Sequence, residues 1–355
     1  MIRIIAFALG IFAYTATLVS QNGDSNYPIN GISFIGPTSG GYDYNSFQKI
    51  KTTNSNWVAL IPGATLGRST LQIIQPDLSS EWGSTIEAQV EGIKLAKEAG
   101  LKIFLKPHIV LEKSPYESAD FLNSLLYDYV DRTNFAIWRG DVIPQNEADW
   151  KTLEESYEAY IIDLAEVAQQ YQVELFCIGT ELREFVRLRP DYWNKLITKV
   201  RNIYSGKITY SANWDEYELV PFWDRLDYIG VDAYFPINES ATPNVWRTLI
   251  NWKPIKGKLR LFSEMKNKKI LMTEFGYRSI SYAGKSPWIH NKGDGTPNNT
   301  AQANLYTAFF KTFWNESWVV GGFAWNWMHS ARVIDTTDFT MQDKEAMEII
   351  QKWYN

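Results

Sequence analysis

Residues 268–277 read KKILMTEFGY. Ile270, Leu271 and Met272 give it the apolar character of a buried β-strand. Glu274 stands where that strand would leave the core. Burying a carboxylate without a partner costs several kcal/mol. We therefore expect Glu274 to be either a well-paired structural residue or a functional one.

Seven other apolar runs resemble this one, and stretches with helical periodicity separate them. In TIEAQVEGIKLAKEAG (85–100), for example, apolar residues are spaced three and four apart before a terminal glycine. The runs are too apolar to be half-exposed strands, so they indicate a parallel sheet. Eight alternations predict an α/β fold, a single (β/α)8 TIM barrel over residues 23–355. The predicted strands are 31–36, 57–63, 102–111, 173–182, 207–214, 226–235, 268–277 and 321–328, and the helix expected near 216–225 has the weakest pattern.

The composition is globular and gives no electrostatic reason to expect nucleic acid. The 355 residues carry a formal net charge of −5 and contain no dense basic cluster. Cys177, the single cysteine, lies in an apolar run and is predicted to be buried and inert. The three histidines lack metal-ligand spacing and no phosphate-binding glycine loop is present, so neither a metal nor a cofactor is expected. The 15 Trp, 20 Tyr and 18 Phe suit a large core and also surfaces on which sugars stack.

The N-terminal residues 1–22 have the pattern of a secretory signal peptide. Arg3 precedes an apolar stretch, residues 4–19, that is short for a membrane span. We expect cleavage between Ser20 and Gly23. The mature protein is then expected to be secreted or periplasmic, monomeric and without a membrane span.

Two glutamates occupy equivalent places at strand ends. Glu181 ends the fourth predicted strand in FCIGTEL, and Glu274 ends the seventh. These strand ends face each other across the mouth of a barrel, where active sites are built. Paired carboxylates are what glycoside hydrolysis needs, and a separation of about 5–5.5 Å predicts a covalent intermediate with retained configuration. Either glutamate alone would more often be a structural ion-pair partner, but the pair together favours catalysis.

Other strand ends and two long loops supply the expected surroundings of this pair. The loops run from Glu112 to Asp149 and from Arg278 to Asn299. Asp232 is either a buried hydrogen-bonding residue or a substrate contact. Glu184 and Glu216 are predicted to be solvated or salt-bridged, Glu264 to lie on a helix surface, and Trp252 and Trp353 to belong to the core. The predicted substrate-binding residues are Lys106, His108, Trp138, Asn213, Trp214, Tyr234, Trp288 and Trp325.

Six motifs in register then carry a resemblance to a known family. They are FLKPHI (104–109), CIGTEL (177–182), YSANWD (210–215), DYIGVDAYFP (227–236), ILMTEFGY (270–277) and GGFAWNW (321–327). Together they resemble glycoside hydrolase family 113 of clan A, the endo-β-1,4-mannanases. The resemblance implies that Glu181 is the general acid/base and Glu274 the nucleophile. It also implies that Tyr234 holds the nucleophile, that Trp325 lies beneath the reacting sugar and that Asn213 is a subsite residue.

One position departs from the wider clan. Most members have Asn directly before the acid/base, where it contacts the sugar 2-hydroxyl, and Thr180 stands here. Lys106, His108 and Asn213 are the candidates for reading that hydroxyl, which is axial in mannose and equatorial in glucose. The choice of sugar therefore rests on the resemblance alone.

The resulting expectation is a retaining hydrolase of β-1,4-mannan or glucomannan. Three alternatives stay open: a clan A hydrolase of another β-glycan, a non-catalytic glycan-binding barrel, and a barrel enzyme in which Lys106 forms a Schiff base. The presence of both carboxylates counts against the binding protein, and the signal peptide and aromatic strand ends count against the Schiff-base enzyme.

Overall fold

The computed structural model describes residues 28–76, 82–112, 138–290, 295–330, 332 and 335–355, and the predicted signal peptide lies outside them. Eight parallel strands close into a barrel in which consecutive strands pair and the first pairs with the last, which confirms the predicted (β/α)8 fold. The boundaries of the proposed catalytic domain, 23–355, stay a prediction. The barrel strands are β1 Ile29–Ile35, β2 Trp57–Leu60, β3 Lys102–Leu105, β4 Leu175–Thr180, β5 Lys207–Asn213, β6 Ile229–Asp232, β7 Ile270–Phe275 and β8 Val319–Met328.

The apolar runs become strands because both of their faces are covered. Every residue of β4 and of β7 is buried, one face packing inside the barrel and the other against helices. Pairing of β1 with both β2 and β8 closes the sheet, as in the pairs Gly31 with Trp57 and Ile29 with Gly321. All eight carboxyl ends consequently open on one face of the barrel.

Within the described ranges, eight α-helices surround the strands. They are α1 Tyr44–Lys51, α2 Ile86–Glu98, α3 Glu147–Gln170, α4 Arg183–Leu188, α5 Pro190–Ile203, α6 Val245–Lys266, α7 Asn299–Phe313 and α8 Glu345–Trp353. Short polar side chains cap several of their N-termini; Asp43 and Thr85, for instance, accept backbone hydrogen bonds at α1 and α2. The prediction of a helix near 216–225 is wrong. Two short 3-10 turns, Tyr217–Leu219 and Trp223–Arg225, join β5 and β6 there.

Prolines divide the second and third predicted strands. After Pro62 and Pro107 the chain leaves the barrel and continues as a small sheet of Gly63–Leu66, His108–Leu111 and Ile73–Ile74. Proline has no N–H to donate to a strand ladder, so regular pairing lapses at these points. The single strand predicted at 102–111 is therefore two strands.

The aromatic residues fill much of the core. Trp252 is fully buried, as predicted, and Trp353 stacks on Phe310 at the outer edge with ring centroids 5.7 Å apart. Cys177 is buried as well, and burial raises the pKa of its thiol to about 12, so it is inert at neutral pH. In the described ranges no helix has the length and apolar character to cross a membrane. Those same ranges contain no group of three or more His, Cys, Asp or Glu side chains placed to hold a metal ion.

Candidate active site

Both predicted catalytic glutamates lie at the carboxyl ends of barrel strands and are almost fully buried. Glu274 belongs to the end of β7, whereas Glu181 directly follows β4 with a left-handed φ of 54°. That conformation is disfavoured for a residue with a Cβ and is often found at functional sites. A hydrogen bond of 2.8 Å from the Glu181 N–H to the carbonyl oxygen of Ser211 on β5 stabilises it.

Glu274 is surrounded by groups that favour its ionised form. Lys106 donates a hydrogen bond to Oε1, and His108 Nε2 lies 3.1 Å from the same oxygen. The Tyr234 hydroxyl donates to Oε2 at 2.7 Å. Burial alone would raise the pKa of Glu274, but the Lys106 ammonium and the contact with His108 hold it well below its usual range. Glu274 is thus a carboxylate at neutral pH, as a nucleophile must be.

Lys106 lies beneath Glu274 and has no exposed surface. Its Nζ is shared between Glu274 and Asp232, at 3.2 Å from Asp232 Oδ1. Burial would lower the pKa of Lys106, but these two carboxylates raise it. This position differs from the substrate contact expected for Lys106, because neighbouring side chains cover the ammonium completely.

Asp232 is a buried hydrogen-bonding residue, the first of the two interpretations left open by the sequence. Its Oδ1 accepts hydrogen bonds of 2.8 Å from the hydroxyls of Ser211 and Thr273. Burial and the charge of Glu274 raise its pKa to about 7, although Lys106 opposes the shift. Asp232 and Glu274, paired on neighbouring strands, thus both contact the Lys106 ammonium.

Glu181 has a different environment, in which it is buried and paired with Arg139. The Arg139 guanidinium donates a 2.6 Å hydrogen bond to Glu181 Oε2, and Trp138 supplies a second hydrogen bond. Burial raises the pKa of Glu181, Arg139 lowers it and the charge of Glu274 raises it again, and the net direction is upward. Glu181 therefore keeps a proton to higher pH than an exposed glutamate, as a general acid requires.

Sequence reasoning missed Arg139. It lies in a 3-10 turn, Arg139–Asp141, within the long connection after β3, and is 42 residues from Glu181 along the chain. Its neighbour Trp138 had been singled out as an aromatic loop residue, and the WR pair at 138–139 was the one signal available.

An aromatic cluster forms the floor beside the nucleophile. Tyr234, Trp325 and Phe339 pack together, and the His108 ring stacks on Trp325 with centroids 5.7 Å apart and planes within 5°. A Cβ at Gly276 would lie 2.4 Å from the Trp325 carbonyl oxygen, so glycine permits this close approach. The peptide bond after Trp325 is cis. Burial and the nearby Lys106 lower the pKa of His108 to about 4, so its imidazole is neutral at pH 7.

Three predicted subsite residues form a second group. Trp214 stacks on Trp288 with centroids 5.3 Å apart, which joins the connection after β5 to the long loop after β7. Trp288 is half-exposed, and Trp214 also packs against the cluster of Tyr234 and Trp325. The backbone N–H of Trp214 donates a hydrogen bond to Asn213 Oδ1 at 3.0 Å. This group extends the aromatic surface away from the catalytic pair.

Glu216 is neither solvated nor salt-bridged, so that prediction is wrong. The Glu216 side chain is buried, and its Oε1 accepts a 2.9 Å hydrogen bond from the backbone N–H of Asn213. Burial raises the pKa of Glu216 to about 8. The short 3-10 turns after β5 draw it inward where a helix would have exposed it. The other two glutamates follow prediction: Glu184 is salt-bridged to Arg187, and Glu264 lies on the surface of α6.

Comparison with known proteins agrees with this geometry. The model of glycoside hydrolase family 113 matches residues 38–348. Among solved structures, the chain is similar to the family 113 β-mannanase AaManA from Alicyclobacillus acidocaldarius in complex with ManMIm, with 23% identity, a TM-score of 0.75 and coverage of 92% of this chain and 97% of that one. It is also similar to a family 113 β-1,4-mannanase seen in a complex structure, with 25% identity, a TM-score of 0.71 and coverage of 92% and 99%.

A more distant similarity concerns the fold alone. The Faecalibacterium prausnitzii β-glucuronidase has 13% identity and a TM-score of 0.58, over 92% of this chain and 49% of that one. No curated protein matches the chain. The family match spans both strand-end glutamates and nearly the whole barrel, and the chain therefore belongs to glycoside hydrolase family 113.

Proposed function

We propose that this family 113 glycoside hydrolase is a retaining endo-β-1,4-mannanase acting on mannan or glucomannan. The observation that carries the mechanism is the opposite pKa shift of two buried glutamates at the ends of β4 and β7. Pairs of carboxyl groups pushed apart in this way divide the roles of acid and nucleophile. The substrate class is supported by the family 113 relatives described as β-mannanases.

The reaction follows from the two ionisation states. Glu274 attacks the anomeric carbon and forms a glycosyl ester, while Glu181 gives its proton to the departing glycosidic oxygen. Glu181, now ionised and paired with Arg139, then removes a proton from water, whose oxygen displaces Glu274 from the anomeric carbon. Two displacements at one carbon retain its configuration.

Two of the alternatives have less support than hydrolysis. A Schiff base would require Lys106 as a neutral amine, whereas two carboxylates raise the pKa of this buried ammonium. A glycan-binding protein would have no need of a nucleophile and an acid with opposite pKa shifts. Hydrolysis of a different β-glycan remains the second candidate, because either of two residues, His108 or Asn213, could contact the sugar 2-hydroxyl. The third residue considered, Lys106, is completely buried.

The mechanism is tested by replacing each glutamate with alanine and adding azide. With a dinitrophenyl β-mannobioside, azide should rescue Glu274→Ala and give the α-glycosyl azide, and it should rescue Glu181→Ala and give the β-glycosyl azide. The surface variant Glu264→Ala is the matched control and should behave as wild type. Wild-type turnover by Glu274→Ala would refute the assignment.

The substrate is tested by incubating the protein with mannan, glucomannan and β-glucan and sizing the products. An endo-mannanase releases mixed oligosaccharides from the first two polymers. Release from β-glucan alone would replace mannan as the substrate and leave the mechanism in place.

We further propose that the protein is exported, as a monomer, after removal of residues 1–22. The charged start and short apolar stretch of the sequence support this proposal. N-terminal sequencing of the protein recovered outside the cytoplasm should begin between Ser20 and Gly23, and sedimentation should give the mass of one chain. An intact N-terminus in the cytoplasm would contradict export.

A further inference from the structure

The nucleophile shares its cation with a second carboxylate that no step of the proposed reaction uses. Lys106 Nζ contacts Glu274 Oε1 and also Asp232, at 3.2 Å from Oδ1 and 3.4 Å from Oδ2. Lys106 and Asp232 are both completely buried, so water cannot screen either charge. The question is why one ammonium has two carboxylate partners.

Two hydroxyl groups favour the ionised form of Asp232. The hydroxyls of Ser211 and Thr273 both donate to its Oδ1 and face it from the neighbouring strands β5 and β7. Hydrogen bonds to a carboxylate favour its ionised form. Burial and the charge of Glu274 oppose these bonds and raise the pKa of Asp232 to about 7, so loss of the Glu274 charge favours ionisation of Asp232.

The charges change when the proposed reaction begins. Before attack, one buried ammonium contacts ionised Glu274 and also Asp232, whose pKa the charge of Glu274 helps to raise. When a Glu274 oxygen bonds to the anomeric carbon, Glu274 becomes a neutral ester, and its negative charge leaves the pair with Lys106. Without another partner the ammonium would then be a buried unpaired cation, which is strongly unfavourable.

We propose that Asp232 is a positioning residue that becomes the counter-ion of Lys106 in the covalent intermediate. Lys106 can therefore hold Glu274 ionised before attack and lose that partner during attack without being stranded. The inference rests on the proposed double displacement. It gives Asp232 no contact with the sugar, in keeping with its complete burial.

Several charged or titratable groups face Glu274, and the test replaces only two of them, Lys106 and Asp232. Removing Lys106 leaves Glu274 without its ammonium and should raise the acidic limb of kcat/KM by about 1–3 pH units. Removing the charge of Asp232 should not raise that limb. The facing groups are Lys106 after β3, His108 in the small sheet, Arg139 in the loop, Glu181 after β4, Asp232 on β6 and Tyr234 after β6. Cys177 on β4 faces Lys106 and Asp232.

The experiment is a cycle of Lys106→Met, Asp232→Asn and the double variant. The burst of dinitrophenolate from a dinitrophenyl β-mannobioside measures formation of the glycosyl ester. Asp232→Asn should slow the burst at least tenfold in the wild-type background, because Lys106 is stranded on attack. In the Lys106→Met background the same change should alter the burst less than twofold, because no cation needs a counter-ion.

Matched controls remove the same charges elsewhere. Lys256→Met breaks a surface pair with Glu316, and Asp227→Asn breaks one with Arg201; both should give wild-type bursts. Equal slowing by Asp232→Asn in both backgrounds would mean a structural role and overturn the proposal. If Asp232→Asn alone does not fold, as judged by thermal unfolding, the burst of the double variant is compared with that of Lys106→Met. A change greater than twofold between these two would then overturn the proposal. Failure of azide rescue in Glu274→Ala would instead overturn the proposed function.

Discussion

Arg139→Met is expected to extend oligosaccharide hydrolysis to higher pH. Arg139 Nη2 lies 2.6 Å from Glu181 Oε2, and both side chains are mostly buried. Burial raises the pKa of Glu181 and the guanidinium lowers it, so removing the guanidinium takes away the largest effect that opposes burial. The variant should therefore hold the acidic proton of Glu181 more tightly than the wild type does.

The size of the effect follows from the charge pair. An opposite charge at this distance lowers a carboxyl pKa by about 1–3 units. Deprotonation of Glu181 in the free enzyme sets the alkaline limb of kcat/KM, because only the protonated form assists the leaving oxygen. The limb should move upward by about 1–3 pH units in Arg139→Met. Hydrolysis of the glycosyl ester should become slower, since that step needs Glu181 ionised.

The assay compares two leaving groups across the full pH profile. A β-1,4-linked mannose oligosaccharide needs the proton of Glu181, whereas a dinitrophenyl leaving group departs without it, so the shift should appear only with the oligosaccharide. Arg183→Met is the matched control: its guanidinium lies over the Trp138 ring, 5.3 Å from the centroid, and pairs with Asp141. An alkaline limb that stays in place or moves down in Arg139→Met would refute the reasoning.

Three further predictions address the nucleophile, the buried acid and the aromatic surface. Tyr234→Phe removes a 2.7 Å hydrogen bond to ionised Glu274 and should lower kcat by about 10- to 150-fold, since such bonds contribute about 1.5–3 kcal/mol. An unchanged kcat would mean that other groups suffice to hold the carboxylate. Glu216 binds its proton more tightly when folded, with a pKa of about 8, so its contribution to stability falls as pH rises from its ordinary value towards 8. Glu216→Gln should therefore gain melting temperature over wild type above pH 8 and little near pH 4.5, and an equal difference at both pH values would contradict this. Trp288→Ala removes the partner stacked on Trp214 and should raise KM for long mannan oligosaccharides about fivefold, near 1 kcal/mol, and more than for a disaccharide; an equal rise for both would remove Trp288 from the distal surface.

The barrel could be predicted from the sequence because its signal is local. Each strand is a short run of residues buried on both faces, and each run recurs after a helix with its own periodicity. The strand and helix predictions are wrong where the path of the chain differs from the one that the local residue pattern indicates. Pro107 divides a run that reads as one strand, and the 3-10 turns after β5 replace a helix whose pattern was already weak.

The catalytic pair could be predicted for a similar reason, and its partners could not. Glu181 and Glu274 each interrupt an apolar run, so the sequence marks them. Arg139 lies in a long connection whose sequence has no periodic pattern, and its contact with Glu181 exists only in the folded protein. Whether Lys106 faces substrate or a second carboxylate depends on β6, more than 120 residues away.

Two glutamates in one barrel mouth carry opposite pKa shifts because their cations differ in kind. The cation of Glu274 is Lys106, fully buried and fixed by the position of β3, so its charge acts on the carboxylate at full strength. The cation of Glu181 is Arg139, which comes from a loop and keeps some contact with solvent, so burial outweighs it. The ionisation of the nucleophile is thus fixed by the barrel itself, whereas that of the acid depends on the loop. Substitutions around residues 138–141 should therefore shift the pH dependence of proton transfer without changing the charge of Glu274.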